Sequence, residues 1–239
     1  MHIDIQFVPS SPTLEILSNR AIVVIDVLRA TSVIVHALSQ GATEIIPVTT
    51  VEEAAHLVKT FPRGSTLLGG ERESRKIEGF DFGNSAKEYT AEKVKGKRLI
   101  LTTTNGTKAF HSVAAAGDVL VGSFLNIRAT AQRCLDLDRD ILLFPSGNKA
   151  HFSLEDAVCG KMLIDLITKK GDKPMDLTDA SDCALILYQR FKGNVVETLH
   201  LSNHGKNLTA LGLKEDLFYC AQTDITDLVP TLRDGVIKA

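Results

Sequence analysis

The sequence lacks the cysteine patterns of several protein classes. Its four cysteines lie far apart and form no CxxC pair, so zinc-ligand spacing is absent. A chain of 239 residues can bury a large core without a disulfide framework, and reduced, mostly buried thiols are therefore expected. Cys159 is followed by Gly160-Lys161-Met162, with no arginine at the spacing of a cysteine phosphatase loop. Thiol catalysis is not expected.

Blocks of one charge and long apolar runs are also missing. With 27 basic and 29 acidic residues and no Lys/Arg-rich block, the chain lacks the footprint of a nucleic-acid partner. The densest apolar run, residues 21–28, is interrupted by Asp26 and is too short to span a bilayer, so no membrane partner is expected. Residues 1–5 lack the features of a signal peptide. These absences indicate a cytoplasmic location.

What the sequence does contain is a repeated pattern of apolar strand, polar loop and helix. The strand–helix pairs are 21–26 with 31–40, 98–101 with 107–115, 119–121 with 126–135, and 141–144 with 153–168. Continuous apolar strands alternating with helices predict a three-layer α/β fold, with a largely parallel or mixed sheet and helices on both faces. Beyond residue 176 the pattern predicts a helical C-terminal part. Arg233-Asp234-Gly235-Val236 then predicts a hairpin turn.

No low-complexity linker divides the chain, so the sequence marks no domain boundary. We expect one domain over residues 1–239, with two closely fused lobes as the alternative. A shift of 76 positions superposes Arg29-Ala30-Thr31 on Asn105-Gly106-Thr107. Duplication of a strand–helix–strand unit and convergence of two ordinary units both explain this similarity.

The loop after the first apolar strand carries two charged residues, Asp26 and Arg29. Ligands of open α/β sheets bind beyond the carboxyl ends of the strands, which is where this loop is expected. A structural ion pair is one interpretation of the two residues. The functional interpretation makes Asp26 a magnesium ligand and Arg29 a bidentate phosphate clamp.

The loop over residues 102–107, Thr-Thr-Thr-Asn-Gly-Thr, is the best candidate for an anion site. Free backbone N–H groups and the positive end of a helix favour an anion there. Helix N-capping is the alternative, but it needs only one of these six small or polar residues.

Further carboxylates follow other expected strand ends. Glu71 follows two glycines and is expected in a glycine-flanked turn. Asp156 follows Ser153 at the spacing of a capping box, and Thr50 with Glu53 has the same spacing where no chemistry is expected. Several carboxylates and anion-binding loops on one expected edge of a sheet are typical of metal-assisted phosphoryl chemistry.

Seven stretches, spread in order over most of the chain, resemble the 2-phosphosulfolactate phosphatase family of the sulfonate pathway leading to coenzyme M. They are IDVLRATS at 25–32, GER at 70–72, GFDFGNS at 79–85, TTNGT at 103–107, GSFLN at 122–126, SLEDAVC at 153–159 and SNHG at 202–205. Two departures from the family pattern, Ala86 in place of proline and Gly160-Lys161 in place of Ala-Gly, touch no candidate site residue.

The resemblance implies a single phosphatase domain that hydrolyses (2R)-2-phospho-3-sulfolactate to 3-sulfolactate and inorganic phosphate with Mg²⁺ as cofactor. It also implies an α/β fold outside the common phosphatase superfolds, which agrees with the lack of a DxDx[TV] nucleophile motif. A nucleotide-dependent phosphotransferase is disfavoured because neither a P-loop nor a Rossmann glycine fingerprint is present.

The residue roles are our own assignment, since the family pattern gives positions only. The predicted catalytic residues are Asp26, Arg29, Glu71 and Asp156, and the predicted magnesium ligands are Asp26, Glu71, Glu155 and Asp156. The predicted substrate-binding residues are Thr31, Arg72, Thr103, Thr104, Asn105, Gly106, Thr107, Ser123, Asn126, Arg128 and His204.

The partner implied is a small anionic phosphorylated substrate, and a homo-oligomer is compatible with the sequence. Water is expected to attack phosphorus, with an aspartyl phosphoenzyme as the alternative route. Two other functions stay open: a phosphatase of another small phosphorylated hydroxy acid, and a non-catalytic protein that binds a phosphate ligand.

Overall fold

The computed structural model describes residues 1–172, 174–191 and 193–239, apart from the side chains of residues 185 and 187. Strands and helices alternate along most of this part of the chain. The strands are β1 (His2–Ile5), β2 (Arg20–Ile25), β3 (Glu44–Pro47), β4 (Thr66–Arg72), β5 (Arg75–Lys76), β6 (Arg98–Thr102), β7 (Asp118–Gly122), β8 (Asp140–Pro145), β9 (Asp176–Leu177), β10 (Thr231–Arg233) and β11 (Val236–Lys238).

The helices connect these strands and make up most of the chain after β9. They are α1 (Leu14–Asn19), α2 (Ala30–Ser39), α3 (Val51–Leu57), α4 (Ala91–Val94), α5 (Gly106–Val113), α6 (Ile127–Leu137), α7 (Leu154–Lys170), α8 (Asp179–Phe191), α9 (Val195–Leu201), α10 (Asn203–Ala210) and α11 (Lys214–Cys220). The predicted helical C-terminal part is therefore present as α8 to α11. No helix among the described residues is long and apolar enough to cross a membrane.

The described strands form one sheet in the order β5-β4-β6-β3-β11-β10-β7-β2-β8-β1-β9. Strands β4, β6 and β3 are parallel to one another, and so are β7, β2, β8, β1 and β9. The hairpin β10–β11 joins these two groups and pairs antiparallel with β7 on one side and with β3 on the other. The sheet is thus mixed, and the predicted hairpin turn at residues 233–236 is confirmed.

Strand β2 shows why helices cover both faces of the sheet. Ile22 and Val24 belong to one apolar cluster with side chains of α2 and α5, whereas Val23 and Ile25 belong to another with side chains of α6 and α7. Successive side chains of a strand point to opposite faces, so a strand that is apolar at every position must be buried on both. The predicted three-layer α/β fold is confirmed.

The three antiparallel pairings between β3 and β7 have a consequence that the sequence does not predict. Strands β2 and β6 run in formally opposite directions, so their carboxyl ends do not lie on one edge of a flat sheet. Five steps separate these strands, and twist rotates neighbouring strands by about 20–25°, or roughly 100–125° in total. This rotation accounts for the meeting of the two loops described below.

The 76-residue similarity has a structural counterpart. Helices α2 and α5 begin at Ala30 and Gly106, which are 76 positions apart, and each leads from one group of strands to the other. The last strand of each unit pairs with the first strand of the other, β7 with β2 and β3 with β6. The two helix starts touch, since a Cβ added to Gly106 would lie 2.5 Å from the Cβ of Ala30.

Candidate active site

A cavity of about 1230 Å³ opens where the loops after β1, β4, β6 and β8 approach helix α10. Five predicted site residues line it: Glu71, Arg72, Thr104, Asn105 and His204. The other predicted carboxylates do not line the cavity. Asp26, Glu155 and Asp156 are nearly buried, at 5%, 2% and 2% exposure.

The Asp26 loop is held in a fixed shape by its own hydrogen bonds. The Ala30 amide donates to Asp26 Oδ1 at 3.1 Å, and the Thr31 hydroxyl donates to the Asp26 carbonyl at 2.8 Å. Oδ2 of Asp26 faces the start of α5, since a Cβ on Gly106 would lie 2.7 Å from it. Ser146, which follows β8 and lines the cavity, donates a hydrogen bond to the Asp26 carboxylate. Asp26 is therefore linked to the cavity through Ser146.

Asp156 does not complete the capping box that its spacing suggests. The Ser153 hydroxyl accepts the Asp156 amide at 3.4 Å, as an N-cap does. The Asp156 carboxylate, however, accepts the amide of Val27 at 2.8 Å and so reaches the Asp26 loop. Glu53, by contrast, returns to the amide of Thr49 at 2.9 Å beside its own helix start. Asp156 is therefore placed by a tertiary contact beside Asp26, whereas Glu53 has the local capping role that was predicted.

Burial raises the pKa values of all three buried carboxylates. Burial raises the pKa of Asp26 to about 6, against the hydrogen bond from Ser146. Burial also raises the pKa of Glu155, and it raises the pKa of Asp156 well above its usual range, with added repulsion from Glu155 and Asp26. A cation beside these groups would relieve both the burial penalty and the repulsion.

Glu71 lies in strand β4 and not in the glycine-flanked turn that its two preceding glycines suggest. Its two carboxylate oxygens accept the amides of Thr104 at 2.7 Å and Ser74 at 2.8 Å. The carboxylate therefore joins the β4–β5 turn to the start of α5. These bonds give Glu71 a structural role at the cavity wall, and its predicted part in catalysis and metal binding stays a prediction.

The predicted anion loop at residues 103–107 uses part of its hydrogen-bonding capacity internally. The Thr107 hydroxyl accepts the Thr103 amide at 3.2 Å, and the Thr107 amide donates to the Thr103 hydroxyl at 3.1 Å. The Asn105 side chain accepts the amide of Lys149 at 3.0 Å, which fixes the β8 loop beside it. Within the described chain, the amides of Asn105 and Gly106 make no such bonds and remain for a ligand at the helix start.

Arg29 is almost fully buried, at 3% exposure, in an ion pair that the sequence could not show. Its Nη1 donates to Asp216 Oδ2 at 2.6 Å, and its Nη2 donates to the Ser74 carbonyl at 3.1 Å. Each terminal nitrogen thus uses one of its two N–H groups within the protein, and the predicted bidentate grip on phosphate stays a prediction. Only Nε lacks a hydrogen-bond partner.

Arg72 and His204 line the cavity, as befits substrate contacts. Arg72 is held by the Glu71 carbonyl at 2.7 Å and the Thr102 hydroxyl at 3.0 Å. His204 Nδ1 lies 3.8 Å from Glu155 Oε1. Burial, together with the charge of Arg29, lowers the pKa of His204 to about 4, so this imidazole is neutral at pH 7.

The remaining predicted substrate residues do not line the cavity. Ser123 and Asn126 form a reciprocal capping box at the end of β7, and both are buried. Arg128 is 69% exposed and pairs with Asp224 at 3.0 Å. The Thr31 and Thr107 hydroxyls are bound to backbone atoms of their own loops, Asp26 and Thr103. These contacts are structural, and the predicted substrate contacts of this group stay predictions.

Several cavity residues were missed from the sequence, notably Ser146 and the cations Arg75, Lys108 and Lys149. Lys108 directly follows the predicted anion loop, so its position was a usable signal. Lys149 and Ser146 lie in the loop after β8. Their position after a strand end was the sequence signal that could have identified them as site residues. Arg75 lies in the short strand β5, which pairs with β4, and no local pattern marks it.

The predicted set of four magnesium ligands does not form a closed cage. Within the described residues, no three His, Cys, Asp or Glu side chains are arranged to hold a metal ion by themselves. Magnesium, however, commonly uses one or two carboxylates, several waters and a substrate phosphate. Asp26 and Asp156 fit that arrangement because they are oxygen ligands, lie side by side and repel each other while buried.

Comparison with known proteins finds the family that the sequence motifs resemble, and the match covers nearly the whole chain. Residues 7–235 match the family described as 2-phosphosulpholactate phosphatase. A protein of Clostridium novyi named probable 2-phosphosulfolactate phosphatase is 44% identical over 230 residues, which are 96% of each chain. Proteins with the same name are 41% identical in Clostridium tetani, over the full length of both chains, and 41% identical in Caldanaerobacter subterraneus, over 93% of this chain and 91% of the relative.

Proposed function

The chain belongs to the 2-phosphosulfolactate phosphatase family, and we propose that it hydrolyses (2R)-2-phospho-3-sulfolactate to 3-sulfolactate and inorganic phosphate with the help of Mg²⁺. The resemblance noted in the sequence is confirmed by residues 7–235. The protein is a phosphoric monoester hydrolase. A cytoplasmic location, a role in coenzyme M biosynthesis and a small anionic substrate as its partner belong to the same proposal.

One observation carries the proposal: a cavity lined by cations adjoins a cluster of buried carboxylates, which Ser146 and His204 of its wall contact. Arg72, Arg75, Lys108 and Lys149 line the cavity against the carboxylates Glu71 and Glu73. A substrate with phosphate, sulfonate and carboxylate groups requires such an excess of positive charge. The buried carboxylates then supply what a purely anion-binding site would lack, a place for a divalent cation.

Asp26 and Asp156 are the residues that would hold Mg²⁺, with Glu155 behind them. The ion, when bound, neutralises charge on the phosphoryl group and lowers the pKa of water. The carboxylates themselves would be ionised in its presence, although burial raises their pKa values in its absence.

The chain's other residues position the substrate and neutralise its charge. The free amides of Asn105 and Gly106 at the start of α5 would donate hydrogen bonds to phosphoryl oxygens, and Lys108 lies one turn further on and lines the cavity. His204 is neutral at pH 7 and can accept a hydrogen bond from water or substrate without repelling Arg29. Phosphoryl transfer depends mainly on such positioning and charge neutralisation.

A phosphate-release assay over related esters tests the proposal. We expect turnover of 2-phospho-3-sulfolactate to exceed that of 2-phospholactate, 2-phosphoglycolate and 3-phosphoglycerate. Chelation should abolish release, and added Mg²⁺ should restore it. Full activity in excess chelator would exclude the metal, and faster turnover of another ester would identify a different hydroxy-acid phosphate as substrate. Binding of these esters without any phosphate release would indicate the non-catalytic alternative.

The pair Asp156→Asn and Glu53→Gln separates metal binding from helix capping. Both changes remove a charge from the first turn of a helix and keep a hydrogen-bond acceptor. If Asp156 binds Mg²⁺, its substitution should lower activity by about 100-fold or more and raise the Mg²⁺ concentration required. Glu53→Gln should leave turnover intact and cost about 1 kcal/mol of stability at most. Equal, small effects on turnover in both variants would show that Asp156 is structural.

A further inference from the structure

A second, smaller cavity of about 450 Å³ adjoins the first. The two share Ser74, Arg75 and Leu211 in their walls. The smaller cavity is lined in addition by Arg29, Asn84 and Lys76, none of which lines the larger one. A ligand held in the larger cavity can therefore extend one of its groups into the smaller one.

Two of the residues in its wall each have a buried, unsatisfied polar atom. Arg29 Nε and Asn84 Oδ1 have no hydrogen-bond partner, and their residues are 3% and 6% exposed. Buried polar groups are nearly always satisfied in folded proteins, so two exceptions on residues that line the same cavity point to a missing ligand. The oxygen and nitrogen of an asparagine amide are interchangeable by rotation, so Asn84 can present its NH₂ group to an acceptor.

The charges around this cavity favour an anion. Arg75 and Lys76 are exposed at its rim, and Glu88 is the carboxylate in its wall. Oε2 of Glu88 is already engaged, because it accepts the amide of Gly83 at 2.8 Å. Asp216, which also accepts the Ser85 hydroxyl, holds the Arg29 guanidinium through Nη1, and Nε has no partner within the protein.

We infer that the smaller cavity binds the sulfonate group of the substrate, with Arg29 Nε and the Asn84 amide as its donors. This inference rests on the proposed function. A sulfonate carries three acceptor oxygens and no proton at neutral pH, which suits a site of unsatisfied donors and rim cations. The apolar side chains of Leu211 and Leu213 in the same wall suit the CH₂ group that bears the sulfonate.

The phosphoryl group belongs in the larger cavity for two reasons. The smaller cavity contains none of the three carboxylates Asp26, Glu155 and Asp156 among its lining residues. Ser146, which binds Asp26, and the helix start at Asn105 both line the larger cavity. The phosphoryl group and the sulfonate thus bind in two different cavities. Arg29 lies between the acidic cluster and the smaller cavity.

Two substrates that differ only in the sulfonate test the inference. Phosphate release from 2-phospho-3-sulfolactate and from 2-phospholactate is measured for the wild type, Asn84→Asp and Lys76→Glu. Both substitutions place a carboxylate against the sulfonate, and Lys76 is exposed, so its variant does not disturb the core. We expect kcat/KM for the sulfonated substrate to fall about 10- to 100-fold, mainly through KM, with less than about a threefold change for 2-phospholactate.

Lys108→Ala is the matched control because Lys108 lines only the larger cavity. Its substitution should lower kcat/KM for both substrates by a similar factor. Equal losses on both substrates in the Asn84 and Lys76 variants would overturn the sulfonate assignment, as would unchanged kinetics in Lys76→Glu.

Calorimetric binding of 3-sulfolactate and lactate separates this inference from the proposed function. If the wild type releases no phosphate but binds 3-sulfolactate more tightly than lactate, and Lys76→Glu loses that preference, the proposed function fails and the sulfonate site stands. If the wild type turns over the substrate while both variants keep the preference for 3-sulfolactate, the sulfonate site fails alone. Absence of both turnover and 3-sulfolactate binding in the wild type overturns both.

Discussion

The unit β2-α2-β3 and the unit β6-α5-β7 share one backbone plan and differ in chemistry. In each, a buried strand ends in a short loop, and a helix begins 76 positions from its counterpart. In each, a threonine in the first turn donates its hydroxyl to a carbonyl of the loop, Thr31 to Asp26 at 2.8 Å and Thr107 to Thr103 at 3.0 Å. The two helix starts meet at Ala30 and Gly106.

The side chains of the two loops are complementary. Asp26 and Arg29 of the first loop correspond in position to Thr102 and Asn105 of the second, so a charged loop faces a neutral one. The first loop offers a carboxylate, which suits a cation, and the second offers hydroxyl, amide and N–H groups, which suit an anion. A cation site and an anion site can thus be built from one backbone motif by changing the residues at two positions.

Asp26→Asn should change the comparison most strongly, because it replaces the carboxylate of the first loop with a neutral amide. We expect kcat/KM to fall by about 100- to 1000-fold, since a buried charge at the reaction site is lost while the shape is kept. Steady-state phosphate release and thermal unfolding of the same preparation provide the measurement.

Asp118→Asn is the control for that change. Asp118 begins β7 and pairs with Arg139 at 2.6 Å, away from the cavities. Its loss should cost about 1 kcal/mol or less and leave turnover unchanged. A loss of activity of similar size in both variants would mean that Asp26 acts through stability alone.

Gly106→Ala tests the contact between the two units. A methyl group there would lie 2.5 Å from Ala30 Cβ and 2.7 Å from Asp26 Oδ2, so the helix starts must separate. We expect a loss of about 3 kcal/mol in the free energy of unfolding and more than about a tenfold loss of activity, because Asp26 is displaced.

Gly117→Ala is its control, because the nearest atom to the added methyl group, Arg139 Nη1, is 3.8 Å away. Ala30→Gly in the Gly106→Ala background should restore part of the lost stability by removing one of the two close contacts. A Gly106→Ala variant as stable and active as Gly117→Ala would contradict the close approach of the two helices.

The pH dependence of stability separates the charged loop from the neutral one. Burial raises the pKa of Asp26 from 3.8 to about 6, so in metal-free protein the folded state retains a proton that the unfolded chain releases. Stability contributed by this group is fully present below about pH 4 and is lost as the pH rises through about 6, by between about 2 and 3 kcal/mol.

Asp26→Asn should flatten this part of the profile, and Thr103→Val in the neutral loop should not. Denaturant unfolding at several pH values in the presence of a chelator measures the difference. A profile for Asp26→Asn that is parallel to the wild type would show that Asp26 is ionised throughout.

The smallest expected effects come from the two equivalent threonines. Thr31→Val and Thr107→Val keep the shape of the side chain and remove a buried hydroxyl bond, so each should lower the free energy of unfolding by about 1 kcal/mol. Equal losses with little change in turnover would support structural roles for both hydroxyls. A large loss of turnover in only one variant would indicate that its hydroxyl contacts the substrate.

Local features of the site were predictable from the sequence. The apolar run before Asp26 marked a buried strand, and its end marked the loop, because both signals lie within a few consecutive residues. The capping roles of Thr50 and Ser153 were equally local and are confirmed by their hydrogen bonds. The hairpin at residues 233–236 followed from its turn residues.

Contacts between distant parts of the chain were not predictable. The partner of Arg29, Asp216, is 187 positions away, and no periodic pattern relates the two. The Asp156 carboxylate reaches Val27 over 129 positions, although its spacing suggested a local cap. Glu71 follows two glycines that suggest a turn, yet it pairs with Lys76 of β5 and so stays in a strand. Tertiary contacts decided the cases of Arg29 and Asp156.

The hairpin β10–β11 lies in the middle of the sheet but is made from residues 231–238, which leave the ribosome after both of the groups that it joins. Until then, β3 and β7 are open edge strands, each with a row of unpaired backbone groups that other chains can bind. Biosynthesis therefore passes through a stage at which the protein is most prone to aggregate, and this stage ends only when the hairpin docks. A nascent chain stalled shortly before residue 231 would be a natural substrate for chaperones.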